Sequence, residues 1–182
     1  MTYPERYRKE LLDTTKDYGE RFSKCFSRKV GAMVVTPDGT IVATGYNGPP
    51  RGIPHCNTSI RLEQITKLYN FNFKKDGPYL FNDYDGIVCP RRYLGFHSGE
   101  ALFLCQAGHA ERNCIVNAAR EGVSVKGCIL FVSSIGLPCA PCAIEIINAG
   151  ITAVHNFDGE DYDKDARYLF RQAMVKAQKR RR

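Results

Sequence analysis

No apolar run in this 182-residue chain approaches the roughly 20 residues that a membrane-spanning helix needs. The charged stretch from Met1 to Arg28 has none of the character of a signal peptide. These absences lead us to expect a soluble, unexported protein of the cytoplasm, or of a host cell's cytoplasm if the source is viral. A second Cys-x-x-Cys pair is also missing. Of the eight cysteines (Cys25, Cys56, Cys89, Cys105, Cys114, Cys128, Cys139 and Cys142), only the last two have that spacing, which excludes a zinc ribbon built from two such pairs. Disulfides belong to oxidising compartments, so metal binding is the better use for these thiols. Net charge is scarce outside the C-terminus. The net charge is +7, but Lys176, Lys179, Arg180, Arg181 and Arg182 leave only about +2 for the rest of the chain. The basicity reads as a tail, of the kind that forms a solvated helix end, and nucleic acid is not the expected partner.

What the chain does contain is His109-Ala110-Glu111 followed by Pro138-Cys139-Ala140-Pro141-Cys142. One imidazole and two thiolates fill three positions of a tetrahedral zinc and leave the fourth open, which distinguishes a catalytic site from a structural one. Water held there ionises near neutral pH. Glu111 can carry protons between that water and a leaving group without occupying the metal. A redox pair would leave His109 and Glu111 idle, and a purely structural zinc has no use for Glu111. Both halves of the motif stand where a helix is expected to begin, and the helix dipole there favours thiolate. Cys139 and Cys142, three residues apart, share a helix face.

Periodicity predicts a helix over 2–24, with Leu11, Leu12, Thr15, Tyr18 and Phe22 on one stripe. Two β-branched runs, 30–36 and 40–46, flank Pro37-Asp38-Gly39, which is hairpin chemistry. Gly45 to Gly52 forms a Gly/Pro-rich loop. From Ile53 to Gly108 the sequence has no clean period beyond a helix at 59–69, and so long an irregular stretch is functional or tied down. Regular alternation then resumes: a helix from His109 to Glu121, a strand from Cys128 to Ser133, a helix from Ala140 to Ala149, a strand from Ile151 to Phe157 and a final helix from Asp163 into the tail. This pattern predicts one α/β domain spanning 1–182, with helices on both faces of a mixed sheet, an insertion at about 53–108 and a basic tail at 176–182.

Val30-Gly31-Ala32, Gly45-Tyr46-Asn47-Gly48-Pro49, His109-Ala110-Glu111-Arg112-Asn113, Pro138-Cys139-Ala140-Pro141-Cys142-Ala143 and Ile146-Ile147-Asn148-Ala149-Gly150-Ile151 together resemble the deoxycytidylate (dCMP) deaminase family of the cytidine deaminase superfamily. The resemblance implies a three-layer α/β/α cytidine-deaminase-like fold with about five strands. It also implies a hydrolase that converts dCMP and water to dUMP and ammonia. In that scheme His109, Cys139 and Cys142 hold the catalytic zinc, and Glu111 protonates the ring nitrogen and then the departing amine. The Ala110 N–H would hold the base carbonyl and Asn47 the sugar, although asparagine beside glycine is also an ordinary turn residue. Regulation by dCTP and dTTP and assembly into a homo-oligomer, a hexamer first of all, are further implications. Three features depart from the family pattern. The Ser133-Ser134-Ile135-Gly136-Leu137 connection is longer than usual, Tyr168-Leu169-Phe170 stands on a long basic helix where a glycine-containing segment is usual, and Asp85 to Arg92 matches no better-known member.

Some viral members of this family carry a structural zinc, and Cys25, Cys56, Cys89 and Cys105 fall in the corresponding places, with His55 or His97 able to replace one ligand. Such a site would order an insertion that has little apolar pattern of its own. The alternative is four small core side chains. Cys114 and Cys128, inside a regular helix and strand, read as core. Arg91 and Arg92, with Arg51 and Arg61, are the candidate phosphate binders, because the guanidinium fork matches phosphate oxygens. Two rival functions use the same motif: a deaminase that edits RNA or single-stranded DNA through the basic tail, and a non-enzymatic structural zinc module.

Overall fold

The computed structural model describes residues 4–56, 58–71, 89–97, 99–161 and 163–180. Along the chain these residues form α1 (Glu5–Phe22), β1 (Gly31–Val35), β2 (Ile41–Tyr46), α2 (Ser59–Tyr69), α3 (Pro90–Tyr93), α4 (Ala110–Arg120), β3 (Ile129–Ile135), α5 (Ala140–Asn148), β4 (Ala153–Phe157), α6 (Lys164–Gln172) and β5 (Lys176–Arg180). They divide into two compact units, the first comprising 1–23, 29–47 and 109–182 and the second 24–28 and 48–108.

The first unit is built on a five-stranded sheet of order β2-β1-β3-β4-β5. β1 runs antiparallel to β2 and β3, and β3, β4 and β5 are parallel. Gly39 makes the hairpin tight by taking φ 102°, a conformation costly for a residue with a Cβ. The side chains of β1 and β3 then alternate between two cores. Ala32, Val34, Leu130 and Val132 face a cluster that includes Cys114, Ala143, Ile146 and Phe170 from α4, α5 and α6. Met33, Val35, Ile129 and Phe131 face Leu11 and Leu12 of α1. Each fully buried aliphatic side chain of this kind contributes roughly 1.5–3 kcal/mol. The result is the expected three-layer α/β/α arrangement.

The C-terminal end differs from the sequence reading. The final helix does not continue into the basic residues. α6 stops at Gln172, Met174 turns the chain with φ 56°, and residues 176–180 pair with β4 as a parallel edge strand. The expected tail at 176–182 is thus sheet as far as Arg180. Its charge does not prevent pairing, because two of its three cations meet carboxylates of their own. Lys179 meets Asp161 at 2.8 Å and Arg180 meets Asp13 at 3.5 Å, while Gln178 accepts from Arg8 at 2.9 Å. The long connection after β3 is also partly sheet. β3 runs on to Ile135 after a register shift beyond Val132, absorbing Ser133 to Ile135.

In the second unit Thr58 caps α2 through its hydroxyl, and Asn70 ends the helix in a left-handed conformation. A small core of Ile65, Tyr93 and Leu104 holds α2, α3 and a single turn at Leu102–Leu104 together. Asp85 to Val88 lie outside the described residues. No described helix is long and apolar enough to cross a membrane.

Candidate active site

His109 is the N-cap of α4 and Cys139 the N-cap of α5, so both side chains emerge at helix starts. Pro141 occupies the first turn of α5, where its missing N–H costs nothing. Nδ1 of His109 lies 3.4 Å from Sγ of Cys139 and 3.4 Å from Sγ of Cys142. The three ligand atoms all fall within 4.8 Å of one another. Zinc bonds of about 2.0 Å to nitrogen and 2.3 Å to sulfur at the tetrahedral angle require a nitrogen–sulfur separation of about 3.5 Å. The donor set therefore fits zinc in spacing as well as in kind.

Electrostatics agree with that fit. The hydrogen bond with Cys139 and burial push the Cys142 thiol far up, and a divalent cation is what holds such a pair as thiolates. His109 is shifted upward, chiefly by its hydrogen bond to Cys139. Glu111 is 5% exposed, and burial raises its pKa against the opposing pull of its own backbone N–H and of His109. A carboxyl raised in this way is suited to taking a proton and returning it. Ala110, in the same turn, belongs to the first-turn amides that a helix cannot satisfy from within.

Several residues that the sequence reading passed over frame the site. Asn113 and Asn117 donate to the carbonyls of Tyr46 at 2.8 Å and Thr44 at 2.9 Å, locking α4 onto β2. Arg112 and Glu145 bridge α4 and α5 at 2.8 Å. Asp161 accepts from the Leu137 N–H and Asp163 from the Ala140 N–H, each at 2.7 Å. Asp163 has a local signal as an N-cap ahead of a helix, whereas nothing near Asp161 in sequence marks it.

The other expected site residues fall as follows. Asn47 uses its side-chain oxygen within the fold, accepting from Val30 N at 2.9 Å and from the Ser23 hydroxyl at 2.7 Å. In the second unit the Cys56 thiol is pushed up to about 12, first by burial and then by the charges of Cys89, Cys25 and Cys105, so the four lie within electrostatic reach, although among the described residues only His109, Cys139 and Cys142 form a metal-sized group. His55 Nδ1 is buried there without a hydrogen-bond partner, while His97 is exposed. Cys114 and Cys128 are buried core residues. Arg91 is buried and donates to the carbonyls of Glu100 at 2.7 Å and His97 at 3.2 Å. Arg61 is buried too and donates to Leu104 O and Gln64. Arg51 and Arg92 are exposed, Arg92 reaching Phe96 O at 3.4 Å.

A mixed sheet that brings His-x-Glu and Cys-x-x-Cys to neighbouring helix starts defines a zinc-dependent hydrolytic deaminase. Residues 5–157 match the family described as the cytidine and deoxycytidylate deaminase zinc-binding region, and the chain belongs to that family. It is 34% identical over 147 residues to the deoxycytidylate deaminase of Enterobacteria phage T2, covering 79% of this chain and 74% of that one. To the human deoxycytidylate deaminase it is 32% identical over 157 residues, covering 84% and 68%. Its fold is similar to that of a dCMP deaminase from cyanophage S-TIM5, solved with dCMP and dUMP, with a TM-score of 0.65, 23% identity and coverage of 98% and 99%.

Proposed function

We propose that this chain deaminates dCMP, consuming water and releasing dUMP and ammonia. The observation that carries the reading is the convergence of His109, Cys139 and Cys142 on one metal-sized space beside the buried Glu111. Relatives in phage and human are deoxycytidylate deaminases, which favours the deoxynucleotide. A zinc bound by the three ligands would lower the pKa of water towards neutrality and so supply the nucleophile. Glu111 is placed to take one proton from that water and deliver it to the ring nitrogen as oxygen adds at C4, and then to carry the proton of the new C4 hydroxyl to the amino group, which leaves as ammonia as the C4 carbonyl forms. We assign the Ala110 N–H to the base carbonyl and keep Asn47, whose side-chain oxygen also holds Val30 N and Ser23, as the residue for the sugar. Of the two adjacent arginines, Arg92 is the one we assign to phosphate, since it is exposed whereas Arg91 is buried and donates to carbonyls of its own unit.

We further read the second unit as an insertion into one deaminase domain, ordered by a structural zinc on Cys25, Cys56, Cys89 and Cys105. The enzyme is expected to act as a homo-oligomer in the cytoplasm, a hexamer being favoured, with dCTP and dTTP as effectors. A fully active monomer in sedimentation would remove the hexamer from this reading.

The deciding experiment compares kcat/KM for deoxycytidine, dCMP, dCTP and a short single-stranded oligonucleotide. Remote phosphate contacts orient C4 against the nucleophile, so deoxycytidine should be much poorer than dCMP, and Arg92→Gln should narrow the gap. Preference for the oligonucleotide, with strong salt dependence, would replace the free-nucleotide reading by a polynucleotide editor.

A further inference from the structure

Cys139 stands in a short connection between β3 and α5, and two amides near it, one before Pro138 and one directly after Cys139, are held by carboxylates from one other segment. The Leu137 N–H donates to Asp161 Oδ1 and the Ala140 N–H to Asp163 Oδ2, each at 2.7 Å. The two aspartates lie between β4 and α6, far from the cysteines in sequence. Asp161 is secured in turn from the C-terminal strand. Lys179 Nζ approaches its Oδ1 at 2.8 Å, and Arg167 pairs with its Oδ2. Burial alone would raise the Asp161 pKa, but the hydrogen bonds from Lys179, Leu137 and Arg167 hold it below the usual carboxylate value. Lys179 is anchored from a second direction by Gly159 O at 2.6 Å.

We propose that Asp161 and Asp163 are positioning residues for the zinc thiolates, and that Lys179 on the basic C-terminal strand holds Asp161 in place. The inference rests on the zinc site and not on the identity of the nucleotide. Charge-assisted hydrogen bonds to backbone amides are short and directional. A pair of them on either side of Cys139 fixes where its sulfur points before any metal arrives. A segment that reads in sequence as a solvated basic tail thereby acquires a task inside the catalytic domain.

Asp163 offers a clean separation of metal positioning from folding, because its two oxygens do different things. Oδ1 caps α6 by accepting from Asp165 N at 3.1 Å, and Oδ2 holds Ala140. Asparagine caps a helix as well as aspartate does, but it has only one oxygen, so an Asp163→Asn protein whose Tm shows the cap intact turns its NH2 towards the Ala140 amide. The experiment uses full-length, zinc-loaded protein and follows zinc transfer to a chromogenic chelator. The catalytic-site phase is identified as the one missing from Cys142→Ser protein. Loss of a partner that orients a metal ligand typically costs about 10–100-fold in metal affinity. We expect zinc release from Asp163→Asn and Asp161→Asn to accelerate by about that factor, with the Tm of Asp163→Asn close to wild type. Lys179→Met should accelerate release less, since Arg167 remains, and Lys179→Arg should restore the wild-type rate. Wild-type release from folded Asp163→Asn overturns the proposal, as does equal acceleration by Lys179→Met and Lys179→Arg. If Asp161→Asn does not fold, the Asp163 and Lys179 variants decide. A failure of the dCMP reading would appear instead as a changed substrate profile with these release rates intact.

Discussion

Gly45 on β2 and Cys114 on α4 stand so close that a Cβ on Gly45 would lie 2.4 Å from Cys114 N and 2.6 Å from Ala110 O. Both obstacles are backbone, and they belong to the two turns that follow His109. Gly45→Ala must therefore push the helix that carries Glu111 away from the sheet. Overpacking of this kind costs roughly 1–3 kcal/mol. Thermal unfolding should show that loss, and turnover of protein that remains folded should fall at least tenfold, because a small displacement of reacting groups is expensive. Wild-type turnover in folded Gly45→Ala would mean that α4 tolerates the shift.

Glu111→Gln preserves shape and removes the proton carrier. Zinc content by elemental analysis should stay at its wild-type value while kcat falls by about 10²–10⁴-fold. Near-normal turnover would take Glu111 out of the mechanism, and loss of metal would make it a structural residue.

If Cys25, Cys56, Cys89 and Cys105 form a site, the protein should contain two zinc ions per chain, and Cys89→Ser should retain one. Cys56 in this cluster is pushed up to about 12 by burial and its sulfur neighbours, so uptake of the ion must displace protons and should weaken as pH falls. One zinc in fully folded wild-type protein would refute the second site.

His155 is buried and stacked on Phe131 with ring centroids 4.9 Å apart, and burial together with the charge of Arg8 lowers its pKa to about 4. The folded state thus binds the neutral imidazole, whereas the unfolded chain protonates near the ordinary histidine value. The stability this contributes is fully present above about pH 6.5 and is lost as pH falls towards 4, by up to about 3 kcal/mol. Urea unfolding at pH 7.5 and pH 5 should show the decline, and His155→Gln should flatten it. An unchanged pH slope in that variant would assign the effect to other groups.

Much of the architecture was legible because it is local. The helix at 59–69 lies as periodicity placed it, and the hairpin turns at Pro37-Asp38-Gly39. The helices and strands after His109 lie within a few residues of their expected bounds as far as Phe157. Each depends on spacing, caps and turn residues that a short window contains. The zinc chemistry was legible for a different reason: residue type alone restricts a His, two Cys and a Glu at that spacing to very few uses.

What only the tertiary structure decided involves partners distant in sequence. Lys176–Arg180 has no strand-like alternation, and it becomes β5 because β4 offers an open edge and Asp161 and Asp13 stand ready for its cations. Arg61 and Arg91 look like phosphate binders until Leu104, Glu100 and His97 present carbonyls to them. The oxygen of Asn47 goes to Val30 and Ser23, and the Cys139 loop is held by aspartates more than twenty residues away. Residue type and local spacing determined which chemistry the chain can perform. The assignment of each polar side chain to scaffold or to site was decided by packing, because a buried donor takes whichever acceptor the fold brings within reach.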